Sequence, residues 1–265
     1  MKIQTKAIGV NRADVFFRQG KYPATGLELA GMAEDGRRVA AIVDGGAFAA
    51  EVNVDEECVL EIPASMSFIE AASIIEALFT AYYNLVSLCG LKAGESALIH
   101  GGAGGIGPVA IQLAKLLGAK VSATAGKPEK LKLIESLGAV AVDYRPKEFG
   151  KEKYDVILDV VGADYFDANL VALKRSGRMG IISFISGAKA ELNLAPLLLK
   201  NLSVYGSTIR SLSLDVKAGI RDAIKPYFGK IKPIVDSTFP LTELDKALDY
   251  VEGYKNVGKV VVTID

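Results

Sequence analysis

Between residues 94 and 209, short apolar runs alternate with segments whose apolar positions recur at helical spacing. The runs predict strands at 96–100, 120–125, 139–143, 154–160, 178–184 and 202–207. The periodic segments predict helices at 107–117, 128–137, 164–174 and about 194–200. Gly118, Gly138, Gly150 and the Arg175-Ser176-Gly177 triplet mark turns between them. Six strands with intervening helices point to an α/β fold with a doubly wound, Rossmann-type parallel sheet. A ligand is then expected at the carboxyl ends of the strands.

The flanks have a different rhythm. Residues 2–10, 38–43 and 48–54 read as short β segments punctuated by Gly and Pro, with few helices. Residues 67–89 are apolar all round and predict a helix bridging two domains. The tail predicts a helix at 215–228, a strand near 231–236, a helix at 241–252 and a Val-rich last strand at 259–264. That strand is expected to return to the first domain. The division expected is a β-rich domain at 1–77, completed by 210–265, and a Rossmann domain at 78–209.

Composition adds mainly exclusions. The chain has 265 residues, half of them hydrophobic, and a formal net charge of zero. It has core enough for one or two domains, and no charge excess that would favour nucleic acid or an anionic membrane. No run of about 18 apolar residues and no signal peptide are read from it. Cys58 and Cys89 lie in apolar surroundings, which suits a reduced, cytoplasmic protein. His100 is the only histidine. With two distant cysteines it makes no ordinary zinc site, so no metal is expected.

The strongest chemical signal is the run His100-Gly-Gly-Ala-Gly-Gly-Ile-Gly107 between a strand and a helix. Gly102, Gly104 and Gly107 fit G-x-G-x-x-G, with Gly105 and Ile106 in the same loop. Backbone N–H groups and a helix N-terminus there would hold a pyrophosphate. The plain alternative is a structural turn. An NAD-binding acid is expected after the next strand, but Ala125, Gly126 and Lys127 stand there, with Lys130 following. This favours NADPH over NADH, unless the lysines merely begin a solvated helix.

Several blocks go further: Asn11-Arg-Ala-Asp-Val-Phe-Phe-Arg-Gln-Gly-Lys-Tyr-Pro23, Gly26-Leu-Glu-Leu-Ala-Gly31, Leu78-Phe-Thr-Ala-Tyr82, Gly206-Ser-Thr-Ile-Arg-Ser211 and Asn256-Val-Gly-Lys-Val-Val261. With the glycine loop they span nearly the whole chain. The sequence resembles the zinc-free quinone oxidoreductases of the medium-chain dehydrogenase/reductase superfamily, and within them the p53-inducible subgroup. The resemblance implies a β-rich, GroES-like substrate domain and a Rossmann domain, with NADPH in the cleft between. It implies that Asn11 approaches the nicotinamide ribose and that Tyr22 lines the substrate pocket. Thr80 would lie beside the nicotinamide and phosphates. Gly126, Lys130 and Tyr144 would form the 2′-phosphate pocket. The backbone of 184–187, including Phe184 and Ser186, and Asn256 would line the nicotinamide end. Leu27 precedes Glu28 where zinc-dependent relatives carry a histidine. A homodimer through the Rossmann domain, near 202–207, is also implied. Plainer readings make Asn11 and Asp14 turn residues, Tyr22 a surface aromatic and His100 a strand-end packing residue without a proton-transfer role.

Three departures stand out. The family's opening hairpin is missing before Asn11. The stretch from Gly31 to Val39 is too short for the usual loop and strand. Asp143 replaces a neutral residue before Tyr144, adding negative charge near the phosphate pocket. The substrate domain is thus expected to be reduced and open, with sheet edges needing cover.

The chemistry implied is hydride transfer to a quinone or similar conjugated carbonyl, with Tyr22 and Asn11 stabilising the developing oxyanion. A quinone needs little acid help, because its reduced form is aromatic. The rival is an enoyl-thioester or enone reductase. Such reductases of the fatty-acid synthase type carry a lysine at the position of Ser183 and an acid at that of Arg210. A third reading is a non-catalytic NADPH-binding protein of crystallin-like or regulatory type.

Overall fold

The two rhythms become two sheets in the computed structural model, which describes residues 1–151 and 153–264. One unit comprises Met1–Phe79 with Ile209–Asp265, the other Thr80–Thr208. The first segment holds β1 (Lys2–Val10), α1 (Arg12–Arg18), β2 (Glu28–Ala33), β3 (Arg38–Ile42), β4 (Glu51–Asn53), β5 (Val59–Glu61) and α2 (Phe68–Tyr82). The middle holds β6 (Ser96–Ile99), α3 (Gly107–Leu116), β7 (Lys120–Ala125), α4 (Pro128–Ser136), β8 (Val140–Asp143) and β9 (Tyr154–Asp159). It continues with α5 (Phe166–Ala172), β10 (Leu173–Ile181), α6 (Leu194–Lys200) and β11 (Ser203–Gly206). The tail adds α7 (Leu214–Phe228), β12 (Val235–Pro240), α8 (Leu244–Glu252) and β13 (Lys259–Thr263).

The middle unit is the expected doubly wound sheet, ordered β11-β10-β9-β6-β7-β8, with every pair parallel. Leu98, Tyr154, Ile157, Leu170 and Met179 form its core beside β9 and β10. The strand order reverses between β6 and β9, and the ends of parallel strands at such a reversal are where this fold class binds its ligands. In the other unit the sheet runs β12-β13-β1-β2-β3-β5, with β4 also on β1. β13 returns antiparallel to β1, pairing Ala7 with Thr263.

Several expectations are corrected. β2 was hidden because nearly all its residues are buried, which erases the alternation of a half-buried strand. α1 was missed because it is short; the Asp14 carboxylate accepts the Asn11 N–H at 2.6 Å and closes its start. The strand expected at 48–54 is only three residues long. The helix expected at 164–174 gives way to β10 at Leu173, and Ser176, at φ 59°, marks a register shift against β9. The strand near 231–236 lies at 235–240. The short stretch after Gly31 is closed by a hairpin turn, with Gly36 at φ 82°. α7 runs along the β5 side of its sheet: Arg221 donates to the Glu56 carbonyl at 3.0 Å, and Lys217 pairs with Asp44 at 2.6 Å. That edge is thus covered from within the chain.

α2 continues as a π-helical stretch through Leu88. Contrary to expectation, Phe68–Leu88 is long and apolar enough to cross a membrane, with a mean hydropathy of 1.3. It is 67% buried inside the protein, as befits a core helix.

Candidate active site

The glycine loop follows β6 at the point where the strand order reverses. Its glycines have separate duties. A Cβ on Gly107 would lie 2.3 Å from the Gly101 carbonyl oxygen, and one on Gly102 would lie 2.6 Å from the Ala123 Cβ. Both are demanded by internal packing. A Cβ on Gly104 would meet only the Gly101 oxygen, at 3.4 Å. The protein itself has room there, so the need for a small residue comes from outside the chain. Gly102 N–H is bonded to Thr124 and Gly104 N–H to Gly101. Among the described residues, the N–H groups of Gly105, Ile106 and Gly107 find no backbone acceptor. They open α3, where the helix dipole also favours an anion. This arrangement fits a pyrophosphate.

The next strands bring together the residues expected at the other end of such a ligand. Ala125 pairs with Asp143 across β7 and β8, and Tyr144 N–H donates to the Ala125 carbonyl. A Cβ on Gly126 would lie 2.5 Å from the Tyr144 ring, so only glycine admits the tyrosine here. Lys130 stands in the first turn of α4, directly after. The extra charge of Asp143 does not stand alone. Arg145 donates to it from Nε at 2.8 and 2.9 Å, from Nη2, and from its backbone N–H. These bonds hold the Asp143 carboxyl down at about 2. Arg145 was not singled out from the sequence, because its role depends on the turn that folds it back.

Beyond β10, the Ser186 hydroxyl donates to the Val161 carbonyl at 2.9 Å and accepts the Asp164 N–H at 3.0 Å. Ser186 thus fixes the loop, while the Phe184 ring is exposed. Thr80 is buried, and its carbonyl accepts the Asn84 side-chain amide at 2.9 Å. His100 lies in the interior, 3.1 Å from Thr124 Oγ1 and 2.7 Å from Asn169 Oδ1, with edge contacts to Phe149 and Tyr165. Burial lowers it to about 4, so it is neutral. Asn169 also donates to Asp159 at 3.3 Å, and burial pushes that carboxyl up to about 6.

Asn11, Tyr22 and Asn256 belong to the other unit. Asn11 has little freedom. Its Oδ1 accepts from Lys259 at 2.6 Å, and its Nδ2 donates to Glu28 at 2.9 Å and weakly to the Gly9 carbonyl. Lys259, 2% exposed, also pairs with Glu28 at 2.6 Å. Burial alone would lower the Lys259 ammonium, but Glu28 and Glu76 override it and hold its pKa above the ordinary value. Asp14 accepts from the Asn11 and Gly26 N–H groups and from the Thr25 hydroxyl. This centre was not legible in sequence, since Asn11, Glu28 and Lys259 meet only across β1 and its neighbours. It bears on the expectation for Asn11, whose two amide hydrogens are both spent inside the protein. Asn256 likewise spends a hydrogen on the Gly258 carbonyl at 2.7 Å. Tyr22 is half-buried, with the Arg210 guanidinium over its ring at 5.8 Å. Among the described residues, no three His, Cys, Asp or Glu side chains could hold a metal.

Comparison with known proteins places this geometry. The zinc-binding dehydrogenase family profile matches residues 105–225. The chain is 30% identical to the quinone oxidoreductase of Lama guanicoe, covering 99% of this chain and 88% of the relative. That alignment is 292 positions long, so the relative carries insertions that this chain lacks. The Escherichia coli quinone oxidoreductase, solved with NADPH, superimposes with a TM-score of 0.88 at 28% identity, over 99% of this chain and 91% of that one. The CurK enoyl reductase superimposes with a TM-score of 0.85 at 27% identity, over 100% and 90%.

Proposed function

The chain belongs to the quinone oxidoreductase family of the medium-chain dehydrogenase/reductase superfamily, and from that premise we propose that it reduces a quinone or similarly conjugated carbonyl compound. It is an oxidoreductase, and its cofactor is NADPH. When bound, NADPH supplies the hydride. The N–H groups of 105–107 would hold its pyrophosphate, and Gly104 would let it approach. Gly126, Lys130 and Tyr144, with Arg145 beside them, would receive the 2′-phosphate. Thr80, Phe184, Ser186 and Asn256 are assigned to the nicotinamide end. Tyr22 donates a hydrogen bond to the acceptor oxygen; a phenol is a poor acid near neutrality, but a quinone asks for no more. Asn11 keeps β1 and β2 in place beneath it.

Tyr82 and Lys259 are the other groups that could serve as a proton donor, and the observation that carries the acceptor choice is the sequestration of Lys259. Protonating carbon after hydride addition to an enoyl thioester needs a placed acid, worth about 10²–10⁴-fold. Lys259 is locked between Glu28 and Asn11, and Ser183 and Arg210 supply no such pair. The deciding measurement is kcat/KM for a small quinone and for a crotonyl thioester at one pH. The quinone should win by about tenfold or more, as expected from the missing acid. A thioester winning by that margin would transfer the chain to the enoyl reductases, which its likeness to CurK keeps in view. NADPH binding without turnover of either would make it a binding protein.

The same proposal includes a homodimer through β11. This strand is the sheet edge, and α6 before it exposes Leu194, Leu198 (77%) and Leu199. Sedimentation of dilute protein tests it. A cytoplasmic site is proposed from Cys58 and Cys89, both free and buried, whose thiols burial pushes up to about 11 and about 12.

A further inference from the structure

Among the described residues, Arg210 is the half-buried arginine that meets neither a carboxylate nor a carbonyl. The others of similar burial are all engaged. Arg12 donates to the Val251 carbonyl at 2.7 Å, and Arg38 to that of Met66 at 2.6 Å. Arg178 pairs with Glu95 and Arg221 with Asp222, both at 2.8 Å. Arg210 follows the buried Ile209 in the short helical turn Ile209–Ser211. Its Nε is shut off from solvent without an acceptor. Among the described residues, no carboxylate or carbonyl meets its guanidinium. The Tyr22 ring, 5.8 Å from the guanidinium carbon, is the contact it makes. An aromatic face at that distance is a weak substitute for a counter-ion.

Burying the Nε–H without an acceptor is unfavourable, while the terminal nitrogens of the same guanidinium are not shut off from solvent. The cost is recovered if a ligand brings the missing anion. A planar guanidinium suits a carboxylate or sulfonate, which it binds through two parallel N–H groups. Tyr22 ties this charge to the acceptor side, because its phenol is the group assigned to the acceptor oxygen.

We propose that Arg210 is a specificity-determining residue which selects acceptors bearing an anionic substituent on the conjugated ring. The guanidinium lies over the tyrosine, so an acceptor that bonds the Tyr22 hydroxyl would present a ring substituent to Arg210. This rests on the assignment of Tyr22 to the acceptor pocket, and it deepens that assignment by naming a substrate class.

The test compares ortho-naphthoquinone with its ring sulfonate, two acceptors that differ in charge. In the native protein the sulfonate should show the lower KM. Arg210→Met should shift the ratio of the two KM values about tenfold against the sulfonate, the worth of one charge-assisted hydrogen bond. Arg210→Lys, which keeps the charge but not the fork, should fall between. Calorimetric binding of naphthalene sulfonate, which cannot be reduced, gives a readout independent of turnover. Its affinity should fall about tenfold in Arg210→Met, on the same ground. If neither quinone is reduced but this affinity falls, the anion site stands and the quinone activity does not. If both quinones are reduced with an unchanged KM ratio, or naphthalene sulfonate binds both proteins equally, the inference is overturned.

Discussion

The two units bury polar groups in opposite ways. In the β-rich unit the buried centre is ionic: Lys259 lies against Glu28 (0% exposed), with Asp14 and Asn11 closing it. In the Rossmann unit it is a chain of neutral groups, Thr124, His100 and Asn169, ending on Asp159. The first is stable only while complete, since Lys259 answers the charge of Glu28 and Asn11 bonds to both. In the second, burial keeps the histidine neutral and raises the one carboxyl. The contrast extends to the proposed sites. The Rossmann unit would offer backbone N–H groups from one short loop, whereas the other unit would offer side chains gathered from distant segments.

The largest expected effect attacks the ionic centre. Lys259→Met leaves Glu28 buried without its cation, a loss of about 3–5 kcal/mol by the usual cost of breaking a buried pair. Lys259→Met combined with Glu28→Gln should recover much of it. Denaturant unfolding of the three proteins measures both. A single variant as stable as the native chain would show that the centre is not held by charge.

The neutral chain makes a prediction about pH. His100 sits at about 4 against an ordinary 6.5, so the unfolded chain binds a proton that the folded one refuses. Its contribution to stability falls as pH drops from 6.5 to 4. Asp159 sits at about 6 against an ordinary 3.8, so the folded chain keeps a proton that the unfolded one releases. Its contribution falls as pH rises from 3.8 to 6. Each shift corresponds to about 3 kcal/mol. The two oppose each other and should leave stability nearly level from pH 4 to 6. Asp159→Asn should unmask the histidine and tilt the profile toward acid instability. Unfolding free energies across that range decide it; an unchanged slope in the variant would mean the two groups are not shifted as the burial implies.

The contrast also explains what was legible beforehand. The six parallel strands and the returning β13 are written as local runs, and the glycine loop as local spacing. Gly126 and Tyr144 could be named through the resemblance, though their contact appears only in the fold. The ionic centre, the Asp143–Arg145 pair and the stacking of Arg210 on Tyr22 depend on tertiary pairing or on a single turn. β2 was lost for a related reason, since burial on both faces leaves no alternation to read.

Gly104 separates folding from binding within the backbone-built site. Gly104→Val should retain the native melting temperature, because its Cβ meets nothing closer than 3.4 Å. NADPH affinity should fall about a hundredfold, roughly 2.7 kcal/mol, as the side chain fills the approach of the pyrophosphate. Gly107→Ala should do the reverse, since its Cβ would lie 2.3 Å from a carbonyl oxygen and damage the fold. Calorimetry beside thermal unfolding distinguishes them. Native affinity in Gly104→Val would make the loop a plain turn.

The smallest effect concerns the place where the Rossmann unit would turn to charged side chains. Lys130 and Arg145 both flank the Gly126–Tyr144 contact, but they are not equivalent. Arg145 is already bound to Asp143, so any gain from the 2′-phosphate is offset by what it gives up on that carboxylate. Lys130 stands in the first turn of α4, whose N-terminus itself favours an anion. Lys130→Ala should therefore weaken NADPH about tenfold, the loss of one charge-assisted hydrogen bond of about 1.5 kcal/mol, and leave NADH nearly unchanged. Arg145→Ala should cost less, because removing it also exposes the phosphate to Asp143 only across a solvated turn, where charges are well screened. Asp143→Asn should raise NADPH affinity by releasing Arg145. Dissociation constants for both cofactors across these variants test the order. Equal NADPH and NADH affinities in the native protein would mean that Asp143 outweighs both cations.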